Sequence, residues 1–102
     1  MEVPSKIRAS KALEIFETAA RYQMYHALAL LIVALLINQA QFIQPSLLVA
    51  GWAFIIGILI FSGSLYALSL TDIKVLGAIT PLGGVAFIIG WVALAIAAFS
   101  FK

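Results

Sequence analysis

Residues 47–70 contain no charge, and neither do residues 75–101. At the helical rise, the 24 residues of the first cover about 36 Å, enough to cross a hydrocarbon core of about 30 Å with some tilt. The second runs for 27 residues and is followed by Lys102, which is placed to anchor its last turn at an interface. A third apolar run, Met24 to Ile37, has only 14 residues, a length that also suits a buried or interfacial helix. Counting Tyr22 and Tyr25 as interfacial aromatics and continuing to Gln41 turns it into a span over about 22–41.

Ahead of that run, Leu13, Phe16, Ala20 and Met24 recur at helical spacing, while Glu14, Glu17 and Arg21 share another face. Glu17 and Arg21 are four apart and predict a surface pair near the headgroups. An amphipathic helix over about 10–22 follows, capped by Ser10 and lying along the membrane before the first span. The segment "NQAQFIQPS" (38–46) is polar, uncharged and holds Pro45, so it predicts a loop. "TDIK" (71–74) is short enough to make the second and third spans antiparallel neighbours. The expected fold is an all-α membrane protein, a bundle of three transmembrane helices preceded by a short amphipathic helix, with residues 1–102 as one membrane domain.

Composition strengthens this picture: 65% hydrophobic against 10% charged residues suits lipid rather than water as the solvent. With no cysteine, neither a disulfide framework nor a thiolate metal site can form. The net charge of +2 matters less than its distribution. Three spans put Lys6, Arg8, Lys11, Arg21 and Lys74 on one side and Lys102 on the other, so the positive-inside rule places the N-terminus in the cytoplasm. Glu14 and Glu17 intervene before any apolar core, so the start does not read as a signal peptide and is expected to be retained. No basic stripe continues along the chain, and no nucleic-acid partner is expected.

In lipid, helices associate through close backbone approach and interhelical hydrogen bonds. Gly83, Ala86, Gly90, Ala93 and Ala97 form a small-residue stripe on the third span, and Ala50, Ala53, Gly57, Ser64 and Ala67 form one on the second. Facing each other, they would bring the two axes close. Pro81 frees the carbonyl of Gly77, which the Thr80 hydroxyl, a neighbouring helix or a water would satisfy. With Gly77, Gly83 and Gly84 around Pro81, "GAITPLGG" is expected to bend, and the packing and kink positions are Gly57, Gly63, Pro81, Gly83, Gly84 and Gly90.

The polar residues crowd toward one end. Arg21, Tyr22, Gln23, Tyr25 and His26 open the first span, Ser62, Ser64, Tyr66 and Ser69 close the second, and Thr80 lies early in the third. Depth counted along each helix predicts a common layer within about 12 Å of the inner interface. In the preferred reading these groups bond across helices, with Tyr22, Tyr25, Trp52 and Tyr66 as interfacial anchors. The competing reading is a polar cavity for a ligand, lipid headgroup or proton, with His26 as the titrating member. One histidine and four scattered carboxylates supply a zinc site poorly. Met24 points to another side of the helix from His26, so a haem would have to be shared between subunits. Without a nucleophile elbow, phosphate loop or dinucleotide fingerprint, no catalytic residue, metal or cofactor is assigned.

"FETAARYQMYHALAL" (16–30), "AGW" (50–52), "FSGSLYALSLT" (61–71) and "LGAITPLGGVAFIIGW" (76–91) closely resemble the domain-of-unknown-function 423 family. These are small integral membrane proteins of bacteria with eukaryotic transmembrane relatives. The resemblance implies a multi-pass protein of a bacterial plasma membrane. It marks Arg21, Tyr22, Gln23, Tyr25 and His26, then Ser62, Gly63, Ser64 and Tyr66, then Thr80, Pro81, Gly83 and Gly84, without giving them roles. The family pattern carries a further apolar segment upstream, ending in a Gly-Ala-Phe-Gly-Ala-His-Gly-Leu-like stretch, where this chain has "MEVPSKIRASK". The comparison implies a truncated start or a partner helix in its place, and the histidine that would pair with His26 is missing. The function expected is that of a non-enzymatic accessory or assembly component, in a homo-oligomer or a larger membrane complex with the lipid bilayer and other membrane helices as partners. The alternative is small-ligand or proton transport through the polar layer. Enzymatic activity would need substrate groups or a cofactor to bring the reactive chemistry.

Overall fold

The structure is a computed structural model that describes residues 5–101; Lys102, expected as an interfacial anchor, lies outside the described residues. No glycine or proline occurs between Ser5 and Gln39, so nothing breaks the backbone ladder there. The result is one continuous helix, α1 (Ser5–Gln39). The expected division into a surface helix over 10–22 and a separate span is therefore replaced by a single rod, and Ser10 lies within it rather than at a cap.

Asn38 and Gln39 continue α1, leaving residues 40–44 as the connection. Pro45 opens the second helix, α2 (Pro45–Thr71), at a position where its missing N–H costs nothing. A π-helical turn, Ile58–Ser62, interrupts α2 between Gly57 and Gly63. Asp72 then ends the helix with φ 57, ψ 26, a left-handed conformation that Asp tolerates better than most residues. The third helix, α3 (Val75–Phe99), runs through Pro81 without interruption. All three helices are long and apolar enough to cross a membrane, and the bundle measures 59 × 19 × 16 Å.

The turn at Asp72 makes α2 and α3 an antiparallel hairpin whose seam has one register. Gln44 meets Ser100, Phe54 meets Gly90, Gly57 meets Phe87, Phe61 meets Gly83, and Ser64 meets Thr80. Every pair is equidistant from Asp72 in sequence. Both expected small-residue stripes supply residues to this seam, with Ala50, Gly57, Ser64, Gly83, Gly90, Ala93 and Ala97 buried. Glycine meets glycine where a Cβ on Gly57 would lie 3.2 Å from Gly83 O, but aromatic rings come closer. A Cβ on Gly57 would fall against the Phe87 ring, 2.6 Å from its Cε1, and one on Gly90 2.7 Å from the Phe54 ring, so each glycine receives an aromatic ring from the opposite helix. At Gly83 the neighbour is main chain: a Cβ would lie 2.7 Å from Phe61 Cα. Gly63 and Gly84 have nothing within 4 Å of an added Cβ and take no part in packing among the described residues.

Helix α1 lies across this hairpin through Ala19, His26, Ala29 and Val33, all buried. Ala29 and Val33 join Ala50, Phe54, Phe87 and Ala93 in the central cluster. Near Pro81, the Thr80 hydroxyl reaches Leu76 O at 3.2 Å, one residue before the Gly77 carbonyl for which it is one of three expected partners.

Candidate functional site

Three polar contacts tie the helices together toward the Asp72 end. Ser62, held by the π-helical turn, is buried and donates to Ala19 O of α1 at 2.9 Å. Ser64 Oγ and Thr80 Oγ1 lie 2.6 Å apart across the hairpin. Each hydroxyl also reaches a carbonyl of its own helix, Phe61 O at 3.0 Å and Leu76 O at 3.2 Å. Two protons serve these three contacts, so when one hydroxyl bonds the other, one carbonyl goes without. Tyr66 Oη donates to Gln23 Oε1 at 2.5 Å, and its ring packs on Phe16 with centroids 4.9 Å apart.

His26 sits in a different place. Its Nδ1 is 2.7 Å from Tyr22 O; a carbonyl can only accept, so Nδ1 carries the proton and Nε2 the lone pair. That lone pair receives the Trp91 indole N–H at 3.1 Å. The imidazole stacks on Phe87, centroids 3.5 Å apart with planes 9° from parallel, and Phe54 closes in at 5.7 Å. A neutral imidazole with both nitrogens engaged ties α1 to α3, and this arrangement offers no lone pair to a metal or substrate. Among the described residues no group of three metal-ligating side chains comes together.

The two ends of the bundle carry their own clasps. At the Asp72 turn, the carboxylate meets Arg8 of α1 at 3.2 Å and Lys74 at 3.0 Å. The hydrogen bond from Lys74, then its charge, hold the Asp72 carboxyl below its ordinary value, with Arg8 and Lys11 adding to the effect. At the opposite end, Gln44 is buried and donates to Ser100 O at 2.9 Å and Ala97 O at 3.4 Å. Ser100 Oγ returns a bond to Gln44 Oε1 at 2.7 Å.

The expected polar layer thus divides. Gln23, Ser62, Ser64, Tyr66 and Thr80 do bond near the Asp72 end, but His26 does not share their level. It lies beside Phe87 and Trp91, about 18 to 24 Å along α3 from Val75. Depth counted from Arg21 placed it too shallow, because α1 begins beside the turn, where Arg8 pairs with Asp72. Tyr22 and Tyr25 are exposed, with the Tyr22 ring 4.7 Å from Phe61. Arg21 is exposed, and it forms no pair with Glu17; the ion pairs among the described residues are the two on Asp72. Trp91, Phe87, Gln44 and Ser100 were not assigned from sequence. The four-residue spacing of Phe87 and Trp91 would have placed both on the face carrying Gly83 and Gly90, but nothing in the sequence pairs that face with His26.

Comparison with known proteins places the chain among membrane proteins of unassigned activity. A family model described as a protein of unknown function (DUF423) matches residues 3–84. That stretch takes in Ser62, Ser64 and Thr80, while Phe87 and Trp91 lie beyond it. UPF0382 membrane protein YwdK of Bacillus subtilis (strain 168) is 53% identical over 88 residues, covering 86% of this chain and 71% of the relative. UPF0382 membrane protein SAB0533 of Staphylococcus aureus (strain bovine RF122 / ET3-1) is 54% identical over 89 residues, covering 87% and 70%. UPF0382 membrane protein SERP0230 of Staphylococcus epidermidis is 48% identical over 93 residues, covering 91% and 74%. No solved structure matches.

Proposed function

The chain belongs to the DUF423 family, and on that footing we propose that this integral membrane protein is a non-enzymatic accessory or assembly component, working against other membrane helices in a homo-oligomer or a larger complex. One observation carries the reading. Glu14, Glu17 and Arg21 are exposed on the side of α1 turned away from the hairpin, yet they are level with its apolar body. Their neighbours Phe16, Ala19 and Tyr22 touch Tyr66, Ser62 and Phe61, and Phe61 is about 15 Å along α2 from Thr71. Near that level the outward residues of α2 and α3 are Leu59 and Leu82, 69% and 63% exposed, which suit acyl chains. Charged side chains at such depth ordinarily face protein or a wet cavity rather than lipid. Snorkelling helps a long arginine but does little for the shorter Glu17. The outer face of α1 therefore suits another helix.

A transport role has less support. Ser64 and Thr80 bond each other, His26 bonds Tyr22 and Trp91, and the Phe61 and Phe87 rings, 5.3 Å apart, lie between the two groups along the seam. The chain has no cysteine, so Met24→Cys, beside Arg21 on the outer face of α1, and Leu82→Cys on α3 each give one attachment point for a photo-crosslinker in native membranes. Protein adducts are expected from position 24 and lipid adducts alone from position 82. Lipid adducts alone from both positions would overturn the reading.

A further inference from the structure

At the end of the bundle that the positive-inside rule turns to the cytoplasm, the first turns of α1 and the last turn of α2 part around a cleft of about 440 Å³. Arg8, Lys11 and Lys74 stand on its rim with one carboxylate, Asp72, and Ile15 and Leu68 are among the apolar side chains that line it. Asp72 is already engaged by Arg8 and Lys74, and Lys11 forms no ion pair among the described residues. Three cations against one carboxylate leave the rim with a positive excess, directly above an apolar lining.

We propose that this cleft binds an anionic phospholipid, with the phosphate group held by Lys11 and Arg8 and an acyl chain lying along Ile15 and Leu68. Each half of the cleft matches one half of such a molecule. Phosphate oxygens accept charge-assisted hydrogen bonds from guanidinium and ammonium groups, and cationic pockets between helices on the cytoplasmic side are suited to anionic headgroups. A free phosphate would use the rim and leave the apolar lining uncovered. Ile15 precedes Phe16, which packs on Tyr66 of α2, so the lining leads toward the hydrocarbon region, the direction an acyl chain must take. The assignment is independent of whatever covers the outer face of α1.

Native mass spectrometry of the full chain in detergent, with dioleoyl-phosphatidylglycerol, dioleoyl-phosphatidylcholine or inorganic phosphate added, tests it. The glycerol lipid is expected to be retained over the choline lipid and not to be displaced by inorganic phosphate. Lys11→Gln is expected to weaken retention about fivefold, the effect of one cation near an anionic surface, and Arg8→Gln with Lys11→Gln about thirtyfold. Lys6→Gln, whose charge lies outside the cleft, should leave retention unchanged. Because Lys11 makes no ion pair among the described residues, its variant should keep the parent helical signal, which circular dichroism checks. Equal retention of the two lipids, displacement by inorganic phosphate, or a Lys6→Gln effect as large as that of Lys11→Gln would each overturn the proposal.

Discussion

Gly83 and Phe61 meet main chain to main chain: a Cβ added to Gly83 would lie 2.7 Å from Phe61 Cα. A side-chain rotation cannot relieve such a clash, so the two helices would have to separate. Gly83→Ala is expected to destabilise the hairpin by about 1–3 kcal/mol or more, the range for overpacked sites. Gly84→Ala, one residue on with open space around it, should be close to neutral. Unfolding by titration with a denaturing detergent, followed by helical circular dichroism, separates the two; equal effects would mean that the seam does not close at Gly83.

Ser64 and Thr80 form the hydroxyl pair of the same seam. Interhelical hydrogen bonds in membranes contribute about 0.6 kcal/mol on average and up to about 1.7. Ser64→Ala and Thr80→Val should each cost an amount in that range. Because the two hydroxyls share protons with Phe61 O and Leu76 O, the double variant should cost less than the sum of the singles. A double-mutant cycle by the same unfolding measurement checks this, and strict additivity would show that the bond is absent.

Much of the bundle was legible in the sequence because lipid imposes simple rules. Uncharged runs of spanning length gave the second and third helices, and "TDIK" forced them antiparallel. What escaped was anything set by side chains meeting across helices. The polarity of Glu14, Glu17 and Arg21 looked like a surface helix, whereas the backbone follows the absence of glycine and proline and simply continues through them. Small-residue spacing located the seam residues, but pairing each glycine with a phenylalanine depends on the register fixed at Asp72. His26 was placed too shallow for the same reason: depth along one helix has no origin until its neighbours are known.

His26 provides a spectroscopic check beside one of stability. Its Nδ1 faces Tyr22 O and its Nε2 faces the Trp91 N–H, so the neutral ring should exist as the Nδ1–H tautomer. Nitrogen-15 spectra of labelled protein distinguish the two tautomers directly. Trp91→Phe removes the donor and leaves a buried acceptor, a change that typically costs about 1–3 kcal/mol. A dominant Nε2–H signal in the parent protein would rule out the Trp91 contact.

The Asp72 clasp predicts a dependence on acid. Its carboxyl is held below the ordinary value of 3.8 chiefly by the hydrogen bond from Lys74, so the folded form prefers the ionised carboxylate. The stabilisation is complete above the unfolded value and is lost as pH falls through the lower folded one. Asp72→Asn keeps a residue that tolerates φ 57 but has nothing to titrate. Unfolding midpoints measured from pH 6 downward should fall further for the parent than for this variant, and parallel curves would remove Asp72 as the cause.

Gln44 closes the other end of the seam by donating to Ser100 O and Ala97 O while accepting from Ser100 Oγ. The last carbonyls of a helix lack partners within it and form the negative end of its dipole, so the amide N–H groups of Gln44 do what a C-terminal cap residue would do, from the connection between α1 and α2. Gln44→Ala only removes these bonds and should cost about 1–2 kcal/mol. Gln44→Glu is nearly the same shape but, when ionised, can only accept; it would set a negative charge against the carbonyls at the end of α3. At neutral pH the Glu variant should therefore be less stable than the Ala variant. In acid the protonated carboxyl regains a donor for Ser100 O, and the order should narrow or reverse. Unfolding midpoints of the two variants at pH 7 and pH 4 decide the matter: a Glu variant no worse than Ala at pH 7 would show that donation to the α3 carbonyls is not what holds this end together.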